Sequence, residues 1–186
     1  CETWAQLPLG DAGDTSGNTV GCRTYHAGAA EDDPALHCPH AGPSGGDVCG
    51  TWCDNYCHLS DTNCTGDNAI GFGTDCASDC AAYFDGAEAG APAGDSVQCR
   101  IYHLGVAGSD GETSAATHCP HGAPDGGGVC VDTPSCATYC AAVTAACTGD
   151  LAQYADEAAC LDYCETWAQL PLGTLADTSG NTVGCR

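Results

Sequence analysis

The chain has 186 residues, of which 25 are acidic, three are arginine and none is lysine or methionine, and its formal net charge is −22. This charge excludes nucleic acid as a partner, because a protein that neutralises phosphates needs clustered lysine and arginine. Leucine, isoleucine, valine and phenylalanine account for only 22 residues. A chain so acidic and so poor in large apolar residues would be disordered unless something else restrained it.

Cysteine supplies that restraint. The chain has 18 cysteines, a density typical of small secreted domains that are stabilised by disulfides. In the chain-entropy model, a disulfide that closes about 15 residues contributes roughly 3 kcal/mol. We therefore predict an extracellular, secreted protein in an oxidising environment. No apolar run approaches the length of a membrane span, so no membrane insertion is expected.

The beginning of the chain returns near its other end. Residues 1–23 recur as residues 164–186 with changes at only three positions, and both stretches begin with CETWAQLPLG and finish with DTSGNTVGCR. Self-similarity at a fixed offset, here 163 residues, is typical of repeat arrays. Cys1 is equivalent to Cys80 and Cys164, whose expected partners lie upstream, and Cys185 is equivalent to Cys22 and Cys99, whose expected partners lie downstream. The corresponding partners of Cys1 and Cys185 would fall outside this chain. We therefore predict that these two cysteines link successive units covalently, or that the units are parts of one continuous polypeptide.

A second, more diverged repeat divides the 163-residue period into two modules. The motifs C-R-x-Y-H, H-C-P-H and C-T-G-D each occur twice in the same order. This internal comparison predicts four segments: 1–21 as the C-terminal part of a preceding repeat, 22–98 as module A, 99–184 as module B, and 185–186 as the start of the next repeat.

Each module is predicted to have an irregular half and a helical half. Residues 5–50 are rich in Gly, Pro, Asp, Ser and Thr, which predicts loops with few short strands. In the helical half, Cys53 and Cys57 are four residues apart, as are Cys76 and Cys80, and this spacing places each pair on one face of a helix. The second module repeats the spacing with Cys136, Cys140, Cys160 and Cys164.

Two antiparallel helices that each carry C-x-x-x-C resemble the alpha-hairpinin scaffold, in which nested disulfides clamp a helical hairpin. The resemblance implies the disulfides Cys53–Cys80, Cys57–Cys76, Cys136–Cys164 and Cys140–Cys160. The expected fold class is then one of small disulfide-rich repeat modules, each with an irregular Gly- and Pro-rich loop region, few short strands and a disulfide-clamped antiparallel helical hairpin.

Four cysteines remain in each module, and their three possible pairings are not separated by the sequence. They are Cys22, Cys38, Cys49 and Cys64, with the equivalents Cys99, Cys119, Cys130 and Cys147. Because eight cysteines per module can pair completely, we expect a disulfide at Cys38 that fixes the H-C-P-H turn.

Six of the seven histidines occupy equivalent positions in the two modules. Each H-C-P-H turn is preceded, 11 or 15 residues earlier, by a third histidine. Three imidazoles in this arrangement predict one metal ion per module, and nitrogen ligands favour copper by intrinsic affinity, with zinc next. Alternatively, these side chains cap turns or donate to carbonyls in the loops. The predicted ligands are His26, His37 and His40, and His103, His118 and His121.

Two other cofactors receive less support. Asp11, Asp14 and Asn18 could supply oxygen ligands to calcium, but the later copy has threonine in place of Asp11. Cys53-Asp-Asn-Tyr-Cys57-His58 resembles an enlarged c-type haem attachment motif, yet the second module has alanine in place of the histidine, so haem is disfavoured. No catalytic triad, phosphate loop or paired-carboxylate site recurs in both modules. We predict no catalytic residue and no enzymatic activity.

The arginines are the only basic side chains apart from histidine. Arg23, Arg100 and Arg186 each follow an equivalent cysteine. A guanidinium among many carboxylates is expected to form a bidentate ion pair. We predict a structural clamp within or between modules, with an anion site as the alternative.

The motifs C-R-x-Y-H and H-C-P-H-x-x-P-x-G-G, followed by C-x-x-x-C helices, resemble uncharacterised cysteine-rich tandem-repeat proteins that some bacteria secrete. The resemblance implies an extracellular setting and no particular activity. We predict an acidic structural protein, the subunit of an extracellular filament, whose partners are further copies of itself, head to tail, and metal ions. The alternatives are a copper-carrying electron-transfer or metal-binding polymer, and a monomeric surface lipoprotein with an acylated Cys1 that acts as a binding module.

Overall fold

A computed structural model describes residues 6–109, 112–174 and 177–186. These residues form helices and no strands, and they contain seven disulfides. A small disulfide-rich fold is thus confirmed. The α-helices are α1 (Val20–Ala29), α2 (Pro34–Ala41), α3 (Trp52–Asn63), α4 (Cys76–Cys80), α5 (Val97–Ala107), α6 (Glu112–Gly122), α7 (Cys136–Ala146) and α8 (Glu157–Leu161), which continues as a π-helix, Asp162–Trp167.

The prediction of loops with few short strands in the glycine-rich segments is wrong, because helices α1, α2, α5 and α6 lie there. Helices α1, α2 and α5 each begin where a side chain accepts from a free backbone N–H group of the first turn. The Thr19 hydroxyl accepts from the Cys22 N–H, and Ser96 caps α5 in the same way. The Asp33 carboxylate caps α2, whose first position is Pro34, a residue suited to a first helical turn.

Nested disulfides hold two helical hairpins together. Cys53–Cys80 and Cys57–Cys76 join α3 to α4. Cys136–Cys164 and Cys140–Cys160 join α7 to α8 and its π-helical continuation. These are the four pairs that the hairpin resemblance implied. Capping boxes start both long helices, with Thr51 at the head of α3 and Ser135 at the head of α7.

The remaining cysteines do not pair within each predicted module. Cys22–Cys49 and Cys99–Cys130 each close a glycine-rich segment. Cys64, however, bonds to Cys119, 55 residues further along. Complete pairing within modules was therefore a wrong expectation, and so was the disulfide at Cys38.

The physical reason for these corrections lies at the end of α3. Cys64 caps this helix, and α6 lies close enough for the Cys119 sulfur to sit 3.8 Å from the Asn63 carbonyl oxygen. Cys38, on the exposed side of α2, has no partner among the described residues, and neither has Cys147 nor Cys185. Cys1, the other cysteine predicted to link units, lies outside the described residues.

The chain divides into two compact units, Cys1–Val131 and Asp132–Arg186. In the first unit, α3 packs against α5 and α6, and the phenol of Tyr56 is fully buried, where it donates to the Gly122 carbonyl at 2.8 Å. The core of the second unit is small and is built around Cys140, Cys160 and Cys164. The predicted module boundaries remain a prediction, because they describe sequence equivalence and not compactness.

Among the helices that the structure describes, none combines the length and the apolar character that crossing a membrane requires.

Candidate metal centres

The first unit contains two clusters of three imidazoles. In the cluster that we call site B, α5 supplies His103 and α6 supplies His118 and His121. The Nδ1 atom of His103 lies 3.0 Å from that of His118 and 3.3 Å from that of His121. The His103 ring is buried, while the other two are half-buried.

The second cluster, site A, has the same construction from α1 and α2. The Nδ1 atoms of His26 and His37 are 2.8 Å apart, and the ring of His40 lies edge-on to that of His26 with 4.8 Å between the ring centroids. In each cluster, one ligand atom from each residue lies within 4.8 Å of the other two. The structure thus brings together all six of the histidines that the sequence singles out.

Backbone carbonyls fix the protonation of the central ring in each site. The Nε2 atom of His103 lies 3.0 Å from the Pro92 carbonyl oxygen, and that of His26 lies 3.2 Å from the Thr15 carbonyl oxygen. A carbonyl oxygen can only accept, so Nε2 carries the proton and Nδ1 of the neutral ring keeps its lone pair. This is the usual arrangement of a metal-binding histidine and its supporting carbonyl.

These two carbonyls carry no signature in the sequence. Each lies 11 residues before the histidine that it orients, but the residues themselves are a threonine and a proline. Because the contact uses the backbone, only the equal spacing between loop and helix could have pointed to it.

The nitrogen separations suit a single ion. Ligands about 2.0–2.1 Å from one zinc are about 2.9 Å apart at a right angle and about 3.3 Å apart at the tetrahedral angle. The separations of 3.0 and 3.3 Å in site B lie in this range, and the separation of 2.8 Å in site A is slightly shorter. In site A, moreover, the Nδ1 atom of His40 is buried and has no hydrogen-bond partner in the part of the chain that the structure describes. Three nitrogens leave a fourth position open in a tetrahedral site.

Sulfur does not complete either site. The sulfurs of Cys22 and Cys49 lie close to His26, as those of Cys99 and Cys130 do to His103. All four are in disulfides, and only a thiolate is a good metal ligand. The cysteine between the two histidines of each H-C-P-H motif is no substitute, since Cys119 is bonded to Cys64 and Cys38 is exposed.

Burial lowers the pKa of His103, the Pro92 carbonyl opposes this shift, and the neighbouring His121 and His118 lower the pKa further. Burial also lowers the pKa of His121, helped by His118. In the metal-free protein at a pH just below 6.5, the ordinary histidine pKa being about 6.5, the folded site B therefore binds fewer protons than the same histidines do in the unfolded chain. Under this condition the free energy of unfolding decreases as the pH falls.

We accordingly expect the stabilising effect of a neutral His103 to be lost as the pH falls through about 6.5, and to level off below the lowered pKa of the folded protein. Urea unfolding of the metal-free wild type and of His103→Gln, in a chelator and between pH 7.5 and 5, measures this. The free energy of unfolding of the wild type minus that of the variant should decrease as the pH falls. An increase would contradict the assignment of a neutral, buried imidazole.

The arginines do not form the bidentate carboxylate pairs that we expected. Arg100 makes one contact with a carboxylate, that of Asp95 at 2.7 Å, and its other hydrogen bonds go to backbone carbonyls. Arg23 donates to the side-chain oxygen of Asn18, which occupies the place of a carboxylate. Arg186 is exposed. The physical reason is that each buried guanidinium lies against the loop that follows a histidine-bearing helix, where free carbonyls need donors.

The residues considered for calcium and haem are engaged otherwise. The Asp14 carboxylate accepts from the Asp11 N–H at 2.9 Å, and the Asn18 side-chain oxygen accepts from an arginine. Cys53 and Cys57 are both in disulfides, which leaves no thiol to attach a haem, and His58 lies outside both histidine clusters.

The known proteins that resemble this chain come from fungi. The family model "BfoA family C-terminal domain" matches residues 1–55. Bifonsecin B biosynthesis cluster protein A of Aspergillus brasiliensis is 51% identical over 43 residues, which are 23% of this chain and 14% of that protein. Aurasperone B biosynthesis cluster protein A of Aspergillus niger matches with the same identity and the same coverage. No solved structure matches the chain.

These findings correct the family assignment. The resemblance to secreted bacterial tandem-repeat proteins is wrong, because the relatives found are fungal. For the same reason, alpha-hairpinin is not the family that the comparisons support. The chain spans about one seventh of the length of the curated relatives it matches. Residues 1–55, which include all of site A, are similar to the C-terminal domain of the BfoA family.

Proposed function

We propose that this chain is a structural subunit of an extracellular filament, reinforced by disulfides, in which each repeat module holds one metal ion through three histidines. The metal ions are proposed from the pair of clusters, sites A and B, in which imidazole nitrogens converge on a common centre, and the filament is proposed from the recurrence of residues 1–23 as residues 164–186. Seven disulfides support an oxidising location outside the cell.

The direction of the rings favours metal binding over turn capping. Histidines that only stabilise turns would point their ring nitrogens at backbone groups. In His26 and His103 only Nε2 does so, while Nδ1 faces another imidazole. Lone pairs that face one another repel unless a proton or a cation lies between them. The unpartnered, buried Nδ1 of His40 is explained in the same way.

Nitrogen ligands without thiolate favour copper, then zinc. An ion in site B would join α5 to α6, and an ion in site A would join α1 to α2. Because such an ion binds the folded protein, it would also stabilise the fold. In a chain with few apolar residues, this adds to the restraint that the disulfides provide. The role is mechanical, and no catalytic step is assigned.

A second candidate function follows from the family match. The relatives are named as biosynthesis cluster proteins, and the matched region contains one complete histidine cluster. Residues 1–55 would then act as a metal-binding module that accompanies a biosynthetic pathway. This candidate predicts that site A binds metal as site B does, but that the chain does not assemble into filaments.

Metal titration of the chelator-treated full-length chain tests the proposal. We expect two ions of Cu²⁺ or Zn²⁺ per chain, held in the presence of a weak competing chelator that removes cations from surface carboxylates. His103→Ala should leave one tight site and His26→Ala/His103→Ala none, with an affinity loss of at least about 100-fold at each site that is removed.

The matched control is His58→Ala, which removes a histidine outside the clusters and should still bind two ions. Nitrogen hyperfine structure in the electron paramagnetic resonance spectrum of bound Cu²⁺ would identify imidazole ligands. Equal binding by the double histidine variant and the wild type would overturn the metal sites. Electron microscopy of the wild type tests the assembly, and dispersed monomers would overturn the filament.

A further inference from the structure

Two of the unpaired cysteines stand where equivalent residues are bonded to each other. Cys64, in the motif C-T-G-D, bonds to Cys119, in the motif H-C-P-H. Cys147 lies in the second C-T-G-D motif and Cys38 in the first H-C-P-H motif, and neither is bonded to another of the described cysteines. With the 163-residue offset of the sequence, Cys147 and the next Cys38 would be only one residue closer than the bonded pair.

The helices that carry these cysteines expose residues whose equivalents in the bonded pair are buried. On α5, Ile101 and Leu104 are fully buried in the core that α3 covers. On α1, the equivalent residues are Thr24 and Ala27, and both are exposed. Cys38 on α2 is also exposed, whereas its equivalent on α6, Cys119, is buried. The pair α1 and α2 therefore lacks the cover that the pair α5 and α6 receives.

The complementary surface lies on α7. Leu59 on α3 is fully buried, and its equivalent on α7, Ala142, is exposed. Small residues thus occur on both surfaces where the equivalent residues are large: α7 has Ala142 at the position of Leu59, and α1 has Ala27 at the position of Leu104. Two helices with small side chains at their contact can pack closely, since packing density depends on matched volumes. The two exposed faces therefore match each other in size.

We infer that α7 of one copy docks on α1 and α2 of a second copy of this chain, and that Cys147 of the first copy forms a disulfide with Cys38 of the second. This inference rests on the proposed filament and names its contact. Residues 6–23 of the incoming copy have nearly the sequence of residues 169–186 of the first. In the first copy, Leu170 and Val183 pack in the core around Cys140 of α7. Leu7 and Val20 of the incoming copy are their equivalents and can take their places, as in a domain swap.

The bond forms by ordinary thiol–disulfide exchange with a low-molecular-weight disulfide such as oxidised glutathione. The Cys147 thiolate attacks the glutathione disulfide and releases one glutathione thiolate. The Cys38 thiolate of the second copy then attacks the mixed disulfide and releases the other. Two protein thiols are oxidised, and one glutathione disulfide is reduced to two thiols.

The test uses the full-length chain in a Cys1→Ser/Cys185→Ser background, incubated in glutathione redox buffer and separated by electrophoresis without reductant. We expect a ladder of multimers whose linked peptides, mapped by mass spectrometry, join Cys147 to Cys38. In this background, Cys38→Ser and Cys147→Ser should each remain monomeric. An equimolar mixture of the two variants should give dimers and nothing larger, because it contains one complementary pair of thiols.

Introducing a charged residue on the docking face distinguishes a disulfide formed through docking from one formed by chance collision of thiols. Ala142→Glu should reduce the yield of cross-linked product at least about tenfold, since an unpaired carboxylate would be buried at the contact. Ala137→Glu is the matched control, because Ala137 is exposed on the same helix at the position equivalent to Asp54, which is exposed on α3. Equal loss in both variants would overturn the docking face.

Three other results would overturn the inference. The first is the absence of multimers in the Cys1→Ser/Cys185→Ser background. The second is a Cys38–Cys38 dimer formed by the Cys147→Ser variant alone. The third is a filament, seen by microscopy, without the Cys147–Cys38 link, which would leave the proposed function standing. Conversely, linked dimers that never grow into filaments would overturn the filament and keep the docking contact.

Discussion

Replacing Cys64 and Cys119 together by alanine is expected to lower the free energy of unfolding by about 4 kcal/mol. Their disulfide closes 55 residues, the longest such loop among the described residues. Closing a longer loop removes more conformational entropy from the unfolded chain, which is the source of this figure in the chain-entropy model. The bond also fastens the end of α3 to α6. Urea unfolding of the oxidised variant and wild type, both free of metal, gives the difference.

The matched control is the shortest loop. Cys57 and Cys76 close 19 residues, and their double alanine variant should lose about 3 kcal/mol. Cys38→Ala, at an exposed and unbonded position, should change the free energy of unfolding by less than about 0.5 kcal/mol. A Cys64/Cys119 variant that is more stable than the Cys57/Cys76 variant would contradict the loop-length argument.

Arg100→Met should cost about 3–5 kcal/mol of unfolding free energy, because it removes every donor of a buried guanidinium. Arg100 is only 2% exposed. It donates to the carbonyls of Ala123, Pro124 and Ser96, and its guanidinium carbon lies 4.0 Å from the centre of the Tyr83 ring. Methionine fills much of the volume but leaves those carbonyls without donors.

Two variants distinguish the effect of the several N–H donors of Arg100 from the effect of its positive charge. Arg100→Lys keeps the charge but cannot reach several carbonyls at once, so it should lose most of the same free energy. Arg186→Met, at an exposed residue with one hydrogen bond to Asn181, should change stability by less than about 0.5 kcal/mol. Chemical denaturation of all three variants measures this, and a lysine variant as stable as wild type would show that the charge alone matters.

The helical hairpins could be anticipated because local geometry determines them. A spacing of four residues puts Cys53 and Cys57 on one face of a helix whatever the surroundings. The histidine clusters could be anticipated in part, since two copies of one motif retained the same three imidazoles. What the sequence could not give is the direction of the rings, because a backbone carbonyl sets it.

The helices of the glycine-rich segments were missed for another reason. Glycine and proline content predicted loops, but Thr19 and Asp33 are good helix caps, and they outweigh that content at the helix starts. The bond between Cys64 and Cys119 could not be predicted from parity, which assumes that each module is closed. It depends on the packing of α3 against α6, a tertiary contact with no local signal.

The burial of Arg23 and Arg100 has a consequence for resistance to proteolysis. Proteases of the trypsin type cut after arginine or lysine, and this chain has three arginines and no lysine. The side chains of two of the three arginines are buried, each with its guanidinium bonded to loop carbonyls. Digestion there would require prior unfolding, so the clamps that hold the loops also shield the chain from a common class of secreted enzymes.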